Sequence, residues 1–292
     1  MIRERMRLGL ITRCRNEPYV NEYVNHYVNE GVDKIYLIDD NSREGLYKDV
    51  SCCSAVQIVT DIPFSGDSFG LGLSTLYSRI KEDFDWIVLV DMDEYITTKK
   101  NISNTLRDEL LTTFKDVDCI KIPWVMMAFN GIEQNPDCLL ETNIYRWNHD
   151  KKHANLSGKR KFRCRYEEIE VKCVFKAASF EKCWDHGPVY GGLKKVKAVD
   201  GVYNQTASLL SYSYPSDPFY RKLREKNIAQ AFLLCYHYRV TSKQDCVDKV
   251  LNSNFEDYKK IDPKDFIASD FPEVIDYTLC LKSKERPKMF AK

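Results

Sequence analysis

The sequence predicts an α/β fold built on an open, mostly parallel, twisted sheet flanked by helices. Three observations predict it. Apolar runs alternate with helical stripes through the first hundred residues. The first strand, helix and strand fit within about 35 residues, the length of a βαβ unit. Finally, the apolar run Trp86 to Val90 ends abruptly in Asp91-Met92-Asp93-Glu94-Tyr95-Ile96, which puts carboxylates at the exit of a buried strand. Open α/β sheets bind their ligands beyond such strand ends.

Arg7 to Cys14 reads as the first strand, and Asn16-Glu17-Pro18 as a helix start, with Asn16 as cap and Pro18 in the first turn. Val20, Val24, Tyr27 and Val28 make one apolar stripe, which Gly31 ends. Lys34 to Asp40 is a second strand, so the pair is parallel with a right-handed crossover. The pattern repeats: Val56 to Thr60 is a strand, Leu73, Leu76, Tyr77, Ile80 and Phe84 mark a helix, and Trp86 to Val90 is the fourth strand. The tips after strands one, two and four, Arg13 to Glu17, Asp39 to Ser42 and Asp91 to Glu94, are therefore candidates for one crevice.

Beyond them the sequence predicts a helix over 105–114 and a return strand from Cys119 to Phe129. Pro123 inside that strand argues for an edge or a bend. Asn148 to Arg165 is basic and poor in apolar residues, a solvated loop or a loop that closes over substrate. Strands follow at Glu168 to Lys176, Lys194 to Tyr203 and within Ala229 to Val240; Ser242 to Asp245 reads as a cap for a helix carrying Val247, Val250 and Leu251. Phe266, Phe271, Val274, Ile275, Leu279 and Leu281 suffice for one or two packed helices in the tail.

Composition narrows the function. Forty-four basic residues against forty-three acidic ones give a net charge of +1, so no whole-molecule field favours nucleic acid or an anionic membrane. No stretch approaches the roughly 20 apolar residues of a spanning helix, and Met1 to Arg5 has no secretory character, so the expectation is a soluble, cytoplasmic protein. The eleven cysteines contain no C-x-x-C pair, and several lie in strand-like runs; they read as buried free thiols rather than a disulfide framework or zinc site. On that reading the sequons at Asn101, Asn155 and Asn204 are silent.

Two carboxylates two residues apart on a strand face the same way. At an effective dielectric near 20 they repel by about 2 to 3 kcal/mol. A divalent cation turns that cost into attraction, and hard oxygen ligands select Mg or Mn. The pair Asp91 and Asp93 thus points to a metal and to phosphate chemistry. No G-x-G-x-x-G follows the first strand, which argues against a dinucleotide fold, and the chain has no G-x-x-x-x-G-K-S/T, which excludes a P-loop kinase.

Five blocks carry a family resemblance: Arg13-Cys14-Arg15-Asn16-Glu17; Asn21 to Tyr27 with Gly31 to Ile35; Asp39-Asp40-Asn41-Ser42; Trp86 through Ile96; and His237-Tyr238-Arg239 with Ser242-Lys243, to which Lys172 to Lys176 and His186 add. In that order they resemble the GT-A glycosyltransferases of the family 2 and family 92 type. The resemblance implies one GT-A domain over 1–292: a Rossmann-like nucleotide-sugar-binding half (1–97), an acceptor half (98–255) and a C-terminal helical tail (256–292). It further implies transfer of a hexose from a nucleotide-sugar, a UDP-hexose, to a glycan or other hydroxyl acceptor, with Mn or Mg as cofactor. Asp91, Asp93 and His237 would be the metal ligands, with His186 a second candidate histidine. Arg13, Asn16, Glu17, Asp39, Asp40 and Arg239 would line the donor site, the acidic tip of the second strand serving base and ribose, and Arg13, Arg15 and Arg239 the diphosphate. A general base is sought among Asp185, Glu141 and Glu133, with Asp185 preferred. The chain departs from the family pattern at Phe129-Asn130-Gly131, where an asparagine interrupts an expected Phe-Gly pair. Two other readings stay open: a haloacid-dehalogenase-like phosphatase or phosphotransferase with Asp91 as nucleophile, and a sugar-binding module without activity.

Overall fold

The computed structural model describes residues 5–43, 45–62, 69–151, 153, 164–165, 168–189, 195–204, 219–220, 223–252 and 262–290. Strands β1 (Leu8–Cys14), β2 (Lys34–Asp39), β3 (Val56–Val59) and β4 (Trp86–Leu89) alternate with helices α1 (Val20–Asn29), α2 (Lys48–Ser51) and α3 (Phe69–Ile80). All four strands are parallel, in the order β3-β2-β1-β4. This is the βαβ succession the apolar periodicity predicts. One apolar core lies on the α1 side, with Tyr23, Val24 and Tyr27, and a second on the α3 side, with Leu73, Leu76 and Tyr77. Helices on both faces explain why these strands read as continuous apolar runs.

The helix start differs from expectation. Helix α1 begins at Val20 behind Tyr19, and no side chain caps it. Asn16 instead adopts φ +53°, receives Arg43 N–H on its side-chain oxygen at 2.8 Å and donates its own N–H to Ser42 at 3.0 Å. It stitches the β1 tip to the β2 tip. Asparagine tolerates the left-handed region because its short polar side chain bonds locally. At the other end of α1, Gly31 has φ +92° and stops the helix as read.

The second half enters antiparallel. After β5 (Glu94–Thr98) and α4 (Leu106–Leu111), capped by Thr105 and Asp108 in a capping box, come β6 (Cys119–Ala128), α5 (Leu139–Thr142) and β7 (Tyr145–Arg146). Then follow β8 (Cys164–Arg165), β9 (Glu168–Lys176), a hairpin of β10 (Lys182–Trp184) and β11 (Gly187–Val189), β12 (Ala198–Asp200) and β13 (Phe219–Tyr220). Helix α6 (Glu225–Gln230), β14 (Leu233–His237), α7 (Lys243–Leu251) and β15 (Val274–Ile275) complete the set, with further helices at Pro263–Ile267 and Thr278–Glu285. β9 lies antiparallel between β4 and β6.

The expectation of an edge position for β6 is corrected: it is central. Its ladder to β9 runs from Cys119 to Pro123, β12 flanks it up to Lys121, and β14 flanks it from Trp124. Pro123, which has no N–H to give, sits where the second neighbour changes. Ser242 caps α7 by accepting Asp245 N–H at 3.0 Å, but the buried side of that helix is Cys246 and Val250, while Leu251 is exposed. Phe129, Asn130 and Gly131 all donate their N–H groups to Asp270, with Asn130 and Gly131 at positive φ. The inserted asparagine thus belongs to a turn that clasps a carboxylate. The expected basic loop lies, from 154 to 163, outside the described residues, as does the sequon at Asn155.

The C-terminal segment is tied into the first half. Glu30, fully buried, accepts from Lys282 Nζ at 2.9 Å, Arg286 Nη1 at 2.7 Å, Thr97 Oγ1 at 2.6 Å and Leu106 N–H at 2.6 Å. The ten cysteines with described side chains are free, and among the described residues no helix is long and apolar enough to cross a membrane.

Candidate active site

Register builds the site. β1 pairs with β4 at Ile11 and Leu89, so the residues just past that rung, Arg13 and Asp91, meet: Arg13 Nε donates to Asp91 Oδ1 at 3.1 Å. On the other side β9 runs antiparallel, with Cys173 opposite Leu89, which carries Lys172 to the same tip. Lys172, 1% exposed, donates to Asp91 Oδ2 at 2.8 Å and lies 3.5 Å from Glu94 Oε2. Burial favours a neutral amine, but Asp91, Glu94 and Asp185 outweigh it and hold the Lys172 ammonium well above its ordinary pKa.

Asp91 and Asp93 do not share a strand face. β4 ends at Leu89 and β5 begins at Glu94; the residues between form a turn in which Glu94 N–H reaches Asp91 O at 3.2 Å and Glu94 Oε2 accepts Asp91 N–H at 2.7 Å. The turn aims the two carboxylates at different cations. Asp91 faces Arg13 and Lys172. Asp93 Oδ2 lies 3.5 Å from His237 Nε2 and 3.4 Å from Lys249 Nζ. Burial would raise both carboxyl pKa values. Arg13 and Lys172 nevertheless bring Asp91 down to about 2, and His237 and Lys249 hold Asp93 well below the usual range.

His237 is placed by β14, which pairs antiparallel with β5 so that His237 stands opposite Glu94. Its ring packs 4.2 Å from that of Trp124, and burial keeps it below the ordinary imidazole pKa, hence neutral near pH 7. Asp93, Glu94 and His237 each present a ligand atom within 4.8 Å of the others. Among the described residues, Glu94 Oε1 and His237 Nδ1 are buried without a hydrogen-bond partner. Burial also holds the Glu94 carboxyl well above its usual pKa, a cost that a cation at that position would reverse. Two carboxylates and a neutral imidazole suit Mn or a similar divalent ion. The residues present therefore fit a metal. Glu94 belongs to this cluster, and Asp91 stands beside it with both oxygens facing protein cations.

The donor-side residues gather at the neighbouring tips. Asp39 Oδ1 accepts Ser42 N–H at 3.1 Å, Asp40 pairs with Arg15 at 3.4 Å, and Asn16 joins the two tips as described. Glu17 lies among Lys249, Asp93, Asp245 and Arg13, and burial raises its carboxyl to about 7. Arg239, two residues past the β14 end, rests its guanidinium 5.7 Å over the Phe266 ring, next to rather than within the Asp93 group.

Across the acidic turn, Asp185 and His186 form the two-residue tip of the β10–β11 hairpin. Gly70 of α3 lets that hairpin dock: a Cβ there would run into the Trp184 ring. Lys172 Nζ donates to the Asp185 carbonyl at 3.1 Å and lies 3.7 Å from Asp185 Oδ1. The preferred base is thus brought to the acidic turn. The other two candidates are not: Glu141 pairs with Lys288 at 2.6 Å and Glu133 with Lys243 at 2.6 Å. His186 is tied from the hairpin tip to β9, its Nδ1 2.8 Å from Val171 O. Sequence reasoning set Glu94 in the crevice tip and Lys172 in a family block without giving either a role, and it gave Lys249 and Trp124 no place at the site. A lysine inside an apolar strand was the visible signal for Lys172.

Comparison with known proteins adds the family. The model of glycosyltransferase family 92 matches residues 77–232. No curated protein sequence matches significantly. Among solved structures, HddC from Yersinia pseudotuberculosis is similar at a TM-score of 0.35 and 12% identity, covering 67% of this chain and 90% of its own. The 4-diphosphocytidyl-2C-methyl-D-erythritol synthase of Anaerococcus prevotii gives 0.34 and 10%, covering 77% and 96%. The mannose-1-phosphate geranyltransferase of Thermus thermophilus gives 0.30 and 12%, covering 97% and 69%. Likenesses this slight carry no argument about activity. The family match is of another kind, since it runs through β4, the acidic turn, Lys172 and the Asp185 hairpin and takes in more than half of the 292 residues: the chain belongs to glycosyltransferase family 92.

Proposed function

We propose that the protein transfers a hexose from a UDP-sugar to a hydroxyl group of a glycan or similar acceptor, and that turnover requires Mn or Mg. One observation carries the proposal: Asp93, Glu94 and His237 converge within 4.8 Å at the end of the sheet where the β1 and β2 tips also meet. These three residues would hold the cation. When bound, it would neutralise charge on the departing diphosphate, a contribution of several kcal/mol.

The chain's own groups divide the remaining work. Arg13, partly exposed beside Asp91, presents its guanidinium to phosphate oxygens. Asp39 and Asp40 present acceptor oxygens to the O–H and N–H groups of a nucleoside. Asp185, 22% exposed at its side chain and 3.5 Å from His186 Nε2, is the carboxylate from which proton removal at an acceptor hydroxyl would proceed. The phosphatase alternative is disfavoured, because both oxygens of its nucleophile Asp91 face cations at 3.1 and 2.8 Å.

A thermal-shift screen of nucleoside diphosphates with and without manganese tests the proposal. UDP with manganese at a hundred times its dissociation constant should stabilise the fold by about 2.7 kcal/mol, and neither alone should match it. A melting temperature indifferent to every nucleotide and metal combination would refute the assignment. Binding without turnover of any nucleotide-sugar would instead favour a sugar-binding module.

A further inference from the structure

Resting on that transferase reading, we propose that Lys172 is a positioning residue that couples the donor side of the site to the acceptor side. Its ammonium group is the junction of three separate elements. It donates to Asp91 Oδ2 at 2.8 Å, at the exit of β4; it lies 3.5 Å from Glu94 Oε2, at the start of β5; and it donates to the Asp185 carbonyl at 3.1 Å, at the tip of the hairpin. An ammonium group has three protons, and these partners are enough to occupy them. With 1% of the residue exposed, the group cannot exchange its protein partners for water without moving the hairpin.

A second link runs alongside. The Trp124 ring stands 4.2 Å from His237, which belongs to the candidate metal group, and 5.7 Å from His186, which neighbours Asp185. Lysine and indole together set the distance between the diphosphate end of the site and the carboxylate meant for the acceptor. A displacement of about 1 Å at such a position costs on the order of a hundredfold in rate. The donor's reaction with water needs no such placement of an acceptor hydroxyl. Lys172 therefore governs the partition between transfer to the acceptor and loss of the sugar to water.

The test uses the whole chain with UDP-sugar, manganese and an acceptor found by screening. For K172Q, the ratio of transfer to hydrolysis should fall tenfold or more, read with the variant saturated in manganese and UDP-sugar. K172R keeps the charge that the buried carboxylates need, so it remains informative should K172Q fail to fold; it should lower the same ratio, because a guanidinium is too wide for the ammonium site. Parallel loss of transfer and hydrolysis in the folded variant, or an unchanged ratio in both, would overturn the role. Wild-type protein that neither binds UDP with manganese nor turns over any donor would fail the transferase reading itself, a result distinct from either.

Discussion

The two halves of the sheet deliver their functional residues by different means. In the first half, β1, β2 and β4 run parallel and are separated by helices, and each chemically rich tip follows directly from its own strand: Arg13 at the end of β1, Asp39 and Asp40 at β2, Asp91 after β4. In the second half the partners come from far along the chain. Lys172 reaches Asp91 across 81 positions and Lys249 reaches Asp93 across 156. The first half brings its tips together through parallel register, across the 78 positions between Arg13 and Asp91; the second half adds Lys172 through the antiparallel register of β9 and Lys249 through helix α7. A shift of β9 or the hairpin should therefore disturb Asp91, Glu94 and Asp185 together, since Lys172 touches all three.

That contrast can be broken most strongly at the metal group. D93A should lower nucleotide-sugar turnover by about a thousandfold while leaving the melting temperature within a few degrees, measured with and without a chelator. Activity at the wild-type level in chelator would dismiss the metal role.

Next comes the tie between the tail and the donor half. K282A leaves Glu30 fully buried with one cation fewer and should cost about 3 kcal/mol in urea unfolding. A loss below about 1 kcal/mol would show that Arg286 suffices alone.

G70A probes the hairpin dock. Forcing a methyl into the Trp184 ring should cost about 1 to 3 kcal/mol and lower transfer more than donor hydrolysis. Equal effects on the two rates would remove the hairpin from the acceptor side.

The smallest effect concerns Glu17. Its carboxyl is raised from 4.5 to about 7, so between those values the unfolded chain has released a proton that the folded chain keeps. Stability from this group is present at low pH and declines as pH rises through that window. E17Q should flatten the slope of melting temperature against pH between about 5 and 7; an unaltered slope would place Glu17 in ordinary solvent.

The same contrast explains what could be read in advance. Strands β1 to β4, α3 and α7 were legible because apolar period and capping residues are properties of neighbouring positions. The convergence of three tips was legible too, because parallel βαβ units have one handedness. Glu94 was hidden by the assumption that Asp91-Met92-Asp93 continues a strand; the turn that closes through Glu94 depends on the carboxylate itself. Lys172 could not be placed without knowing that β9 slots antiparallel between β4 and β6. Pro123 misled for the same reason, as a proline reads as an edge until both flanking ladders are known. Asn16, read as a cap, carries out a longer-range task at the β2 tip.

The buried Glu30 carboxylate has a consequence for biosynthesis. Its counter-ions, Lys282 and Arg286, emerge from the ribosome 252 and 256 positions after it. At usual elongation speeds that is a wait on the order of tens of seconds. During that interval Glu30 can draw on Thr97 and Leu106 but on neither of these cations, so the amino-terminal βα unit should reach its full stability after residues 282 and 286 have been made.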